Sequence, residues 1–156
     1  MKKELVVNVP LNSLSFGNVS VNLLREMWKR NMDISMFPVG NTVDLSTFDK
    51  LDPGFLKWLD ISIKNRLDGI SRDIPTLKLW HLNGAENRIT EKQHLFTFHE
   101  LNFATQTETA IANLQNNIIF SSNFSKDIFN TSGCKNTHSI KLGFDEDFGR
   151  LDKKFY

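Results

Sequence analysis

Short apolar runs alternate with amphipathic stretches along almost the whole of this chain of 156 residues. The first run, residues 4–9, is rich in β-branched side chains and stops at Pro10, which predicts a strand buried on both faces. The amphipathic stretches predict crossover helices, and parallel neighbours need such long connections. The sequence therefore predicts a Rossmann-like α/β fold, a three-layer sandwich with a mostly parallel sheet.

Several of the predicted elements have recognisable ends. Asp52 can accept hydrogen bonds from free amides at an N-cap and Pro53 suits the first helical position, so a helix is predicted to begin there. Ser122 can cap a helix over residues 123–132, and Gly133 suits its left-handed end. The strands after the first are predicted at residues 32–39, 76–82, 93–98, 117–121 and 137–142.

The composition is that of a globular domain of ordinary size, since 40% of the residues are hydrophobic and 24% are charged. One domain is expected over residues 1–145, and residues 146–156 are expected to begin an interdomain linker or to form a C-terminal tail. Nineteen basic and eighteen acidic residues give a net charge of +1, so nucleic-acid binding is not predicted.

The chain carries no sequence signal for a membrane or for secretion. No apolar run approaches the ~20 residues of a membrane span, so no transmembrane segment is expected. The first apolar run is broken by Asn8 and Pro10, too early for a signal peptide. The single cysteine, Cys134, cannot form an internal disulfide. Together these features predict a cytoplasmic protein.

Ligands of parallel sheets bind beyond the carboxyl ends of the strands, where loops converge. Loops are predicted there at residues 12–18, 81–85, 99–103 and 121–125. In the first loop, Gly17 permits close backbone approach to a ligand, and Asn18 is available as a helix cap. A plain strand-to-helix turn is an equal alternative. Only one glycine of a dinucleotide fingerprint is present, so NAD binding is disfavoured.

His99 and Glu100 directly follow the predicted fourth strand, where side chains emerge at the edge of the sheet. His99 can donate to a sugar hydroxyl or a phosphate, or act as an acid or base near neutral pH. A structural imidazole bonded to the backbone is the alternative. For Glu100, a role as a helix cap or as a solvated charge is preferred over a role as a catalytic group.

Trp80 and His81 place an aromatic ring and an imidazole at the same edge, before the Asn83-Gly84 turn. Flat aromatic faces beside hydrogen-bonding groups suit carbohydrate, although a tryptophan beside a strand is more often core. Ser122 beside Lys126 suits an anion at a helix start, and simple capping explains Ser122 equally well. No metal is predicted, because the four histidines lack paired ligand spacing and one cysteine cannot supply a zinc pattern.

Several segments resemble, in one order, a known family. Residues 118–125, Ile-Ile-Phe-Ser-Ser-Asn-Phe-Ser, read as a strand with a Ser-rich turn, and residues 141–145 read Lys-Leu-Gly-Phe-Asp. These segments, with the Gly17 loop and His99-Glu100, resemble the N-terminal domain of GT-B glycosyltransferases of the group 1 type. The family has Pro-x-Gly-Val-Asp where this chain has Lys141 to Asp145, and it commonly has paired glycines near Gly17.

The resemblance implies one GT-B half, the acceptor-side domain of a hexosyltransferase. Such an enzyme moves a sugar from a nucleotide-sugar donor to a hydroxyl of a glycan or other acceptor, usually with retention and without a metal or other cofactor. The family's donor-binding domain is a second, C-terminal one, in cis or in trans, so this chain alone is expected to be inactive. The site residues that the resemblance implies are catalytic His99, donor-facing Gly17, Asn18 and Ser122, and acceptor-side His81, Asn83, Glu100 and Asn102.

A rival interpretation is a non-catalytic flavodoxin-like α/β module whose loops bind a small ligand or a protein. The two interpretations differ in the surface that they require. A large apolar patch near the C-terminal end would favour the glycosyltransferase, because a partner domain normally covers part of such a surface.

Overall fold

The computed structural model describes residues 3–143. Its elements, in chain order, are β1 (Leu5–Leu11), α1 (Ser15–Lys29), β2 (Ile34–Val43), α2 (Pro53–Lys64), β3 (Thr76–Leu79), β4 (Gln93–Thr97), α3 (Gln106–Leu114), β5 (Asn117–Phe120), α4 (Asn123–Thr131) and β6 (Thr137–Ser139). The six strands form one parallel sheet in the order β2-β1-β3-β4-β5-β6. The predicted Rossmann-like α/β sandwich is confirmed.

The register of the sheet assigns alternate residues to opposite faces. Val7, Leu77 and His94 are neighbours on the first face. The core cluster that contains Val7 includes side chains of α1 and α2. On the second face, Leu95 and Ile118 are neighbours, and their cluster includes side chains of α3 and α4. Each face is therefore covered by its own pair of helices.

The connection between β3 and β4, residues 80–92, contains no helix. A lysine in β3 holds it instead, since the ammonium group of Lys78 donates to the carbonyls of Gly84 at 3.0 Å and Asn87 at 2.9 Å. Gln93 adds a third anchor by donating to the carbonyl of Ala85 at 2.6 Å. Burial lowers the pKa of Lys78, against the opposing effect of nearby Glu86. Polar side chains thus do here what an apolar helix face does in the other crossovers.

The predicted helix caps at Asp52 and Ser122 are confirmed. The Asp52 carboxylate accepts from the amides of Gly54 at 2.6 Å and Phe55 at 3.4 Å. The Ser122 hydroxyl accepts from the amide of Ser125 at 3.1 Å. These two helices begin where the sequence places them because a capping side chain satisfies amides that the helix itself leaves free.

The prediction that Asn18 caps α1 is wrong. The helix begins at Ser15, and the amide of Asn18 already donates to the carbonyl of Leu14 at 3.0 Å. Leu14 occupies the N-cap position without a side-chain bond, so the start of α1 carries no capping signal that a sequence pattern can detect. Strand β6 is also shorter than predicted, and Phe144, Asp145 and residues 146–156 lie outside the described residues.

Strand β1 continues through Pro10 to Leu11, although a stop at Pro10 was expected. Proline cannot donate to a ladder, and two features accommodate it. The pairing of β1 with β3 ends at Asn8, and its pairing with β2 shifts register between Val9 and Leu11. Pro10 therefore lies where the ladder is already interrupted.

The order in which the chain adds strands changes sides at β1: β2 is added on one side of β1, and β3 is added on the other. The first five strands follow the flavodoxin-like order rather than the order of dinucleotide-binding Rossmann folds. Ligands of such sheets bind at the carboxyl edge next to this reversal. The loops after β1, β3, β4 and β5 all lie at that edge because the strands are parallel.

Candidate functional site

The crevice between the carboxyl ends of β1 and β3 is filled by the ring of Phe16. This side chain is only 9% exposed. Its ring centroid lies 4.6 Å from that of His81, 4.6 Å from that of Phe98 and 6.0 Å from that of Trp80. Aromatic packing therefore joins the start of α1 to the segments that follow β3 and β4, and His81 is the exposed member of this cluster.

Gly17 makes its close approach to the protein's own loop. A Cβ added at Gly17 would lie 1.9 Å from the carbonyl oxygen of Asn12. The Asn12 side chain also accepts from the amide of Leu14 at 3.0 Å, which tightens the turn between β1 and α1. The loop geometry accounts for this glycine without a ligand, and the donor-facing role of Gly17 and exposed Asn18 stays a prediction.

His99 lies at the edge but its ring points into the protein, with 5% of the side chain exposed. Its Nε2 is 2.9 Å from the carbonyl oxygen of Phe103, and a carbonyl only accepts, so Nε2 carries a proton. Its ring packs edge-on against Phe129 at 4.9 Å. In this arrangement His99 fixes the loop that follows β4, and its catalytic role stays a prediction.

Glu108 lies behind His99 and closes the start of α3. Its carboxylate accepts from the amide and the hydroxyl of Thr105, both at 2.8 Å, and the amide of Glu108 donates to the Thr105 hydroxyl at 3.2 Å. This reciprocal pair is a capping box. Burial raises the pKa of Glu108, but the bonds from Thr105 and the nearby His99, 3.9 Å away, together lower it.

Three residues, one after β4, one after β5 and one in the first turn of α4, form a chain of hydrogen bonds. Ser125 donates its hydroxyl proton to the carbonyl of His99 at 2.7 Å. A hydroxyl has one proton, so the 2.9 Å contact between the hydroxyls of Ser122 and Ser125 has Ser122 as the donor. Ser122 thus both donates and accepts within the protein, and its predicted role toward a donor phosphate stays untested by this geometry.

All four predicted acceptor-side residues are exposed to solvent at the carboxyl edge. They are His81, Asn83, Glu100 and Asn102. Within the described residues, no hydrogen bond occupies the side chains of His81, Asn83 or Glu100. They are therefore free to contact a ligand, whereas His99, between them in sequence, is not.

An open groove of about 430 Å³ lies between the loop after β4 and helix α4. Its lining residues are Asn102, Phe103, Ala104, Phe124, Asp127, Ile128, Thr131 and Ser132. Phe103 is 55% exposed and Phe124 is 59% exposed. The sequence predicts Asn102 in an acceptor-side loop at this edge, but it does not indicate the contribution of α4. The available signal was Phe124, which lies off the buried stripe of that helix formed by Ser125 and Phe129.

Exposed large apolar side chains concentrate at the carboxyl edge. We define the apolar edge patch as Leu14, Leu101, Phe103, Phe124, Ile140 and Leu142, which are 46–68% exposed. Each of them follows the carboxyl end of a strand. Five of the six lie within residues 101–142, in the segments that follow β4, β5 and β6.

Two histidines meet on the first face of the sheet, away from this edge. The Asn117 amide nitrogen is 2.9 Å from Nδ1 of His94, and its oxygen is 2.8 Å from Nε2 of His138. The sequence does not predict that these two histidines share one asparagine. Their strands, β4 and β6, are not neighbours in the sheet, and β5 with Asn117 lies between them. Within residues 3–143, no three metal-ligating His, Cys, Asp or Glu side chains come together. The expectation of no metal or other cofactor stays a prediction.

The free energy of unfolding is expected to fall as the pH decreases below about 6.5, the ordinary pKa of a histidine side chain. Burial, and then the charge of His138, lower the pKa of His94 below its ordinary value of 6.5. Between the folded pKa and 6.5 the unfolded chain binds more protons, so stability is lost as the pH falls through that window. Urea unfolding at several pH values measures this loss.

His94→Gln provides the control for this pH dependence, because glutamine keeps a polar partner for Asn117 but does not titrate. Its stability is expected to vary less with pH than that of the unaltered protein. Both proteins retain the neighbouring ionisable residues Lys92, just before β4, and His138, on the other side of Asn117, so these groups do not account for a difference between them. Equal pH dependence in the two would contradict the assignment to His94.

Comparison with known proteins identifies no relative: no protein-family model, curated protein or solved structure matches the chain. Among the helices of residues 3–143, none combines the length and the apolar character needed to cross a membrane.

Proposed function

We propose that this chain is the N-terminal, acceptor-side domain of a glycosyltransferase that transfers a sugar from a nucleotide-sugar donor to an acceptor hydroxyl. The observation that carries the proposal is the apolar edge patch. It lies at the edge where ligands of parallel sheets bind, and exposed apolar side chains of this kind are what a partner surface would cover. In the proposed enzyme that surface belongs to a donor-binding domain, in cis or in trans.

The charge at the carboxyl edge supports the acceptor side rather than the donor side. Residues 12–18, 81–85, 99–103 and 121–125 contain no lysine or arginine. A leaving nucleoside diphosphate develops negative charge, and stabilising it is often the largest catalytic contribution. These four loops offer neutral and acidic groups, which suit hydroxyl groups, and the neighbouring Lys126 lies 3.5 Å from the Asp127 carboxylate. The diphosphate is therefore proposed to bind to the other domain, without a metal on this one.

The role that we propose for each residue at the carboxyl edge depends on whether its side chain is exposed to solvent. His81, Asn83, Glu100 and Asn102 contact the acceptor, because they are exposed. His99 is proposed as the catalytic-side histidine that the resemblance implies, held against Phe103 until the two domains close. The unpaired, buried Cys134 is in keeping with the cytoplasmic location that we propose.

The test is acceptor-dependent release of nucleoside diphosphate by the complete natural gene product. Panels of uridine, guanosine, thymidine and adenosine diphosphate sugars are supplied with mixed glycan acceptors. Release is expected from the complete product, and none from the isolated 156-residue chain if a further domain binds the donor. Absence of release across the panel would contradict the glycosyltransferase. Equal transfer by the isolated chain would contradict its acceptor-side role.

Matched charge substitutions test the apolar edge patch. Leu101→Asp lies in the patch, whereas Leu114→Asp lies at the opposite edge, and their parent side chains are 50% and 57% exposed. We expect Leu101→Asp to reduce transfer about tenfold or more through loss of domain contact, and Leu114→Asp to leave it unchanged. Equal activity of the two variants would contradict a covered patch.

A flavodoxin-like binding module is the second candidate, favoured by the strand order. Phe16 argues against a flat cofactor at the strand reversal, since its ring already lies between those of His81 and Phe98. Fluorescence titration with flavin mononucleotide tests whether the second candidate takes a flavin as its small ligand. No binding is expected, and tight binding would favour the second candidate.

A further inference from the structure

The groove between the loop after β4 and helix α4 has two aromatic walls. Phe103 and Phe124 line it, and more than half of each side chain is exposed. Phe124 projects from the first turn of a helix whose buried stripe does not include it. Exposing two phenylalanines beside a concave surface costs hydrophobic free energy that a ligand with an apolar face would recover.

The polar wall of the groove offers mainly hydrogen-bond acceptors. The hydroxyl of Thr131 donates its one proton to the Asp127 carbonyl at 2.9 Å, and that of Ser132 donates to the Ile128 carbonyl at 3.0 Å. Both hydroxyls therefore present only lone pairs to a ligand. The Asp127 carboxylate adds acceptor oxygens on the same wall, and one of them lies 3.5 Å from the ammonium group of Lys126. A ligand that fits must supply several donors.

The geometry points to a neutral saccharide ring as the occupant of this groove. A pyranose presents C–H faces that pack on aromatic rings and a rim of hydroxyl donors that match the acceptors of Asp127, Thr131 and Ser132. The Asp127 carboxylate disfavours a phosphate group placed against its second oxygen, because like charges repel, while its first oxygen lies 3.5 Å from the ammonium group of Lys126. This inference rests on the proposed function, and it assigns the groove as a subsite for a sugar unit of the acceptor.

The volume of the groove and its position agree with this assignment. About 430 Å³ lies within the range of small-molecule sites. Asn102, an acceptor-side residue, lines the groove at its loop side. A sugar seated on α4 would thus extend the acceptor from the exposed edge groups onto the second face of the sheet.

The test is an NMR titration of the chain with maltotriose, cellotriose and chitotriose at millimolar concentrations. We expect at least one of them to shift the amide signals of residues 102–104 and 124–132. We expect glucose 1-phosphate to shift them less than a neutral sugar does. Failure of all three oligosaccharides to shift these signals would overturn the assignment, as would tighter binding of the phosphate.

Two substitutions at one position separate ring stacking from hydrophobic contact. Phe124→Leu keeps the apolar character but removes the ring, and we expect it to weaken binding about tenfold. Phe124→Tyr keeps the ring and is expected to bind within about twofold of the unaltered chain. Because Phe124 is exposed, neither change should unfold the protein. Equal binding by the leucine and tyrosine variants would overturn the assignment.

The groove and the proposed function can fail separately. Transfer by the complete gene product that is unchanged in Phe124→Leu would overturn the subsite and leave the glycosyltransferase in place. Saccharide binding in the groove without nucleoside diphosphate release by the complete product would contradict the proposed function and the acceptor role, although the groove would still hold sugar.

Discussion

Gly17→Ala is expected to lower the free energy of unfolding by about 3 kcal/mol or more. The new methyl carbon would lie 1.9 Å from the carbonyl oxygen of Asn12 and 2.7 Å from its carbonyl carbon. Both atoms belong to the backbone, so no rotation of a side chain relieves the overlap. The turn between β1 and α1 must open instead, which displaces Phe16 from the aromatic cluster. Urea unfolding followed by tryptophan fluorescence measures the loss.

Gly143→Ala is the matched control, because no atom of residues 3–143 lies within 4 Å of the Cβ position there. Its stability is expected to stay within about 0.5 kcal/mol of the unaltered chain. Removing the Asn12 side chain in the Gly17→Ala background should not restore stability, since the shortest contact is to the backbone. Similar unfolding midpoints for the two glycine variants would show that the turn is more pliant than its geometry indicates.

Phe129→Ala is expected to cost about 3–5 kcal/mol. Its side chain is 0% exposed, and its ring stacks on Phe120 at 4.8 Å and meets the ring of His99 at 4.9 Å. Alanine would leave a cavity in the core of the second face and remove the surface against which His99 rests. Chemical unfolding measures the stability, and the His99 ring signals in NMR report its altered environment.

Phe124→Ala, on the same helix, is the control for Phe129→Ala. Its ring is 59% exposed, so the stability is expected to change by no more than about 0.5 kcal/mol. The two variants thus separate folding from binding, since Phe124 lines the groove and Phe129 supports it from below. A large loss of stability in Phe124→Ala, equal to that in Phe129→Ala, would contradict this division.

The sequence predicts the sheet well because its signals are local. The apolar runs that become β3, β4 and β5 are bounded by turn residues, and Asp52 and Ser122 mark helix starts by a bond that the side chain itself makes. The start of α1 has no such local signal, because Leu14 at its N-cap makes no side-chain bond, and the sequence therefore does not predict it.

The candidate site is less readable from sequence, because it depends on where side chains point. His99 does lie at the carboxyl edge, but whether its ring faces solvent is decided by the carbonyl of Phe103 and by Phe129, which is 30 residues away in sequence. The groove likewise joins Asn102 to a helix beyond β5. The spacing of residues along the sequence does not indicate such contacts unless the order of the strands in the sheet is known.

The switch in strand order at β1 also sets the cost of assembling the sheet. Val6 pairs with Thr76, a separation of 70 positions (76 − 6), whereas Thr76 pairs with Gln93, a separation of 17 positions (93 − 76). Because the entropy of closing a chain segment grows with the logarithm of its length, the first pairing costs about 1 kcal/mol more than the second. The seam between β1 and β3 therefore costs more entropy to close than the seam between β3 and β4, and it lies at the crevice beside Phe16.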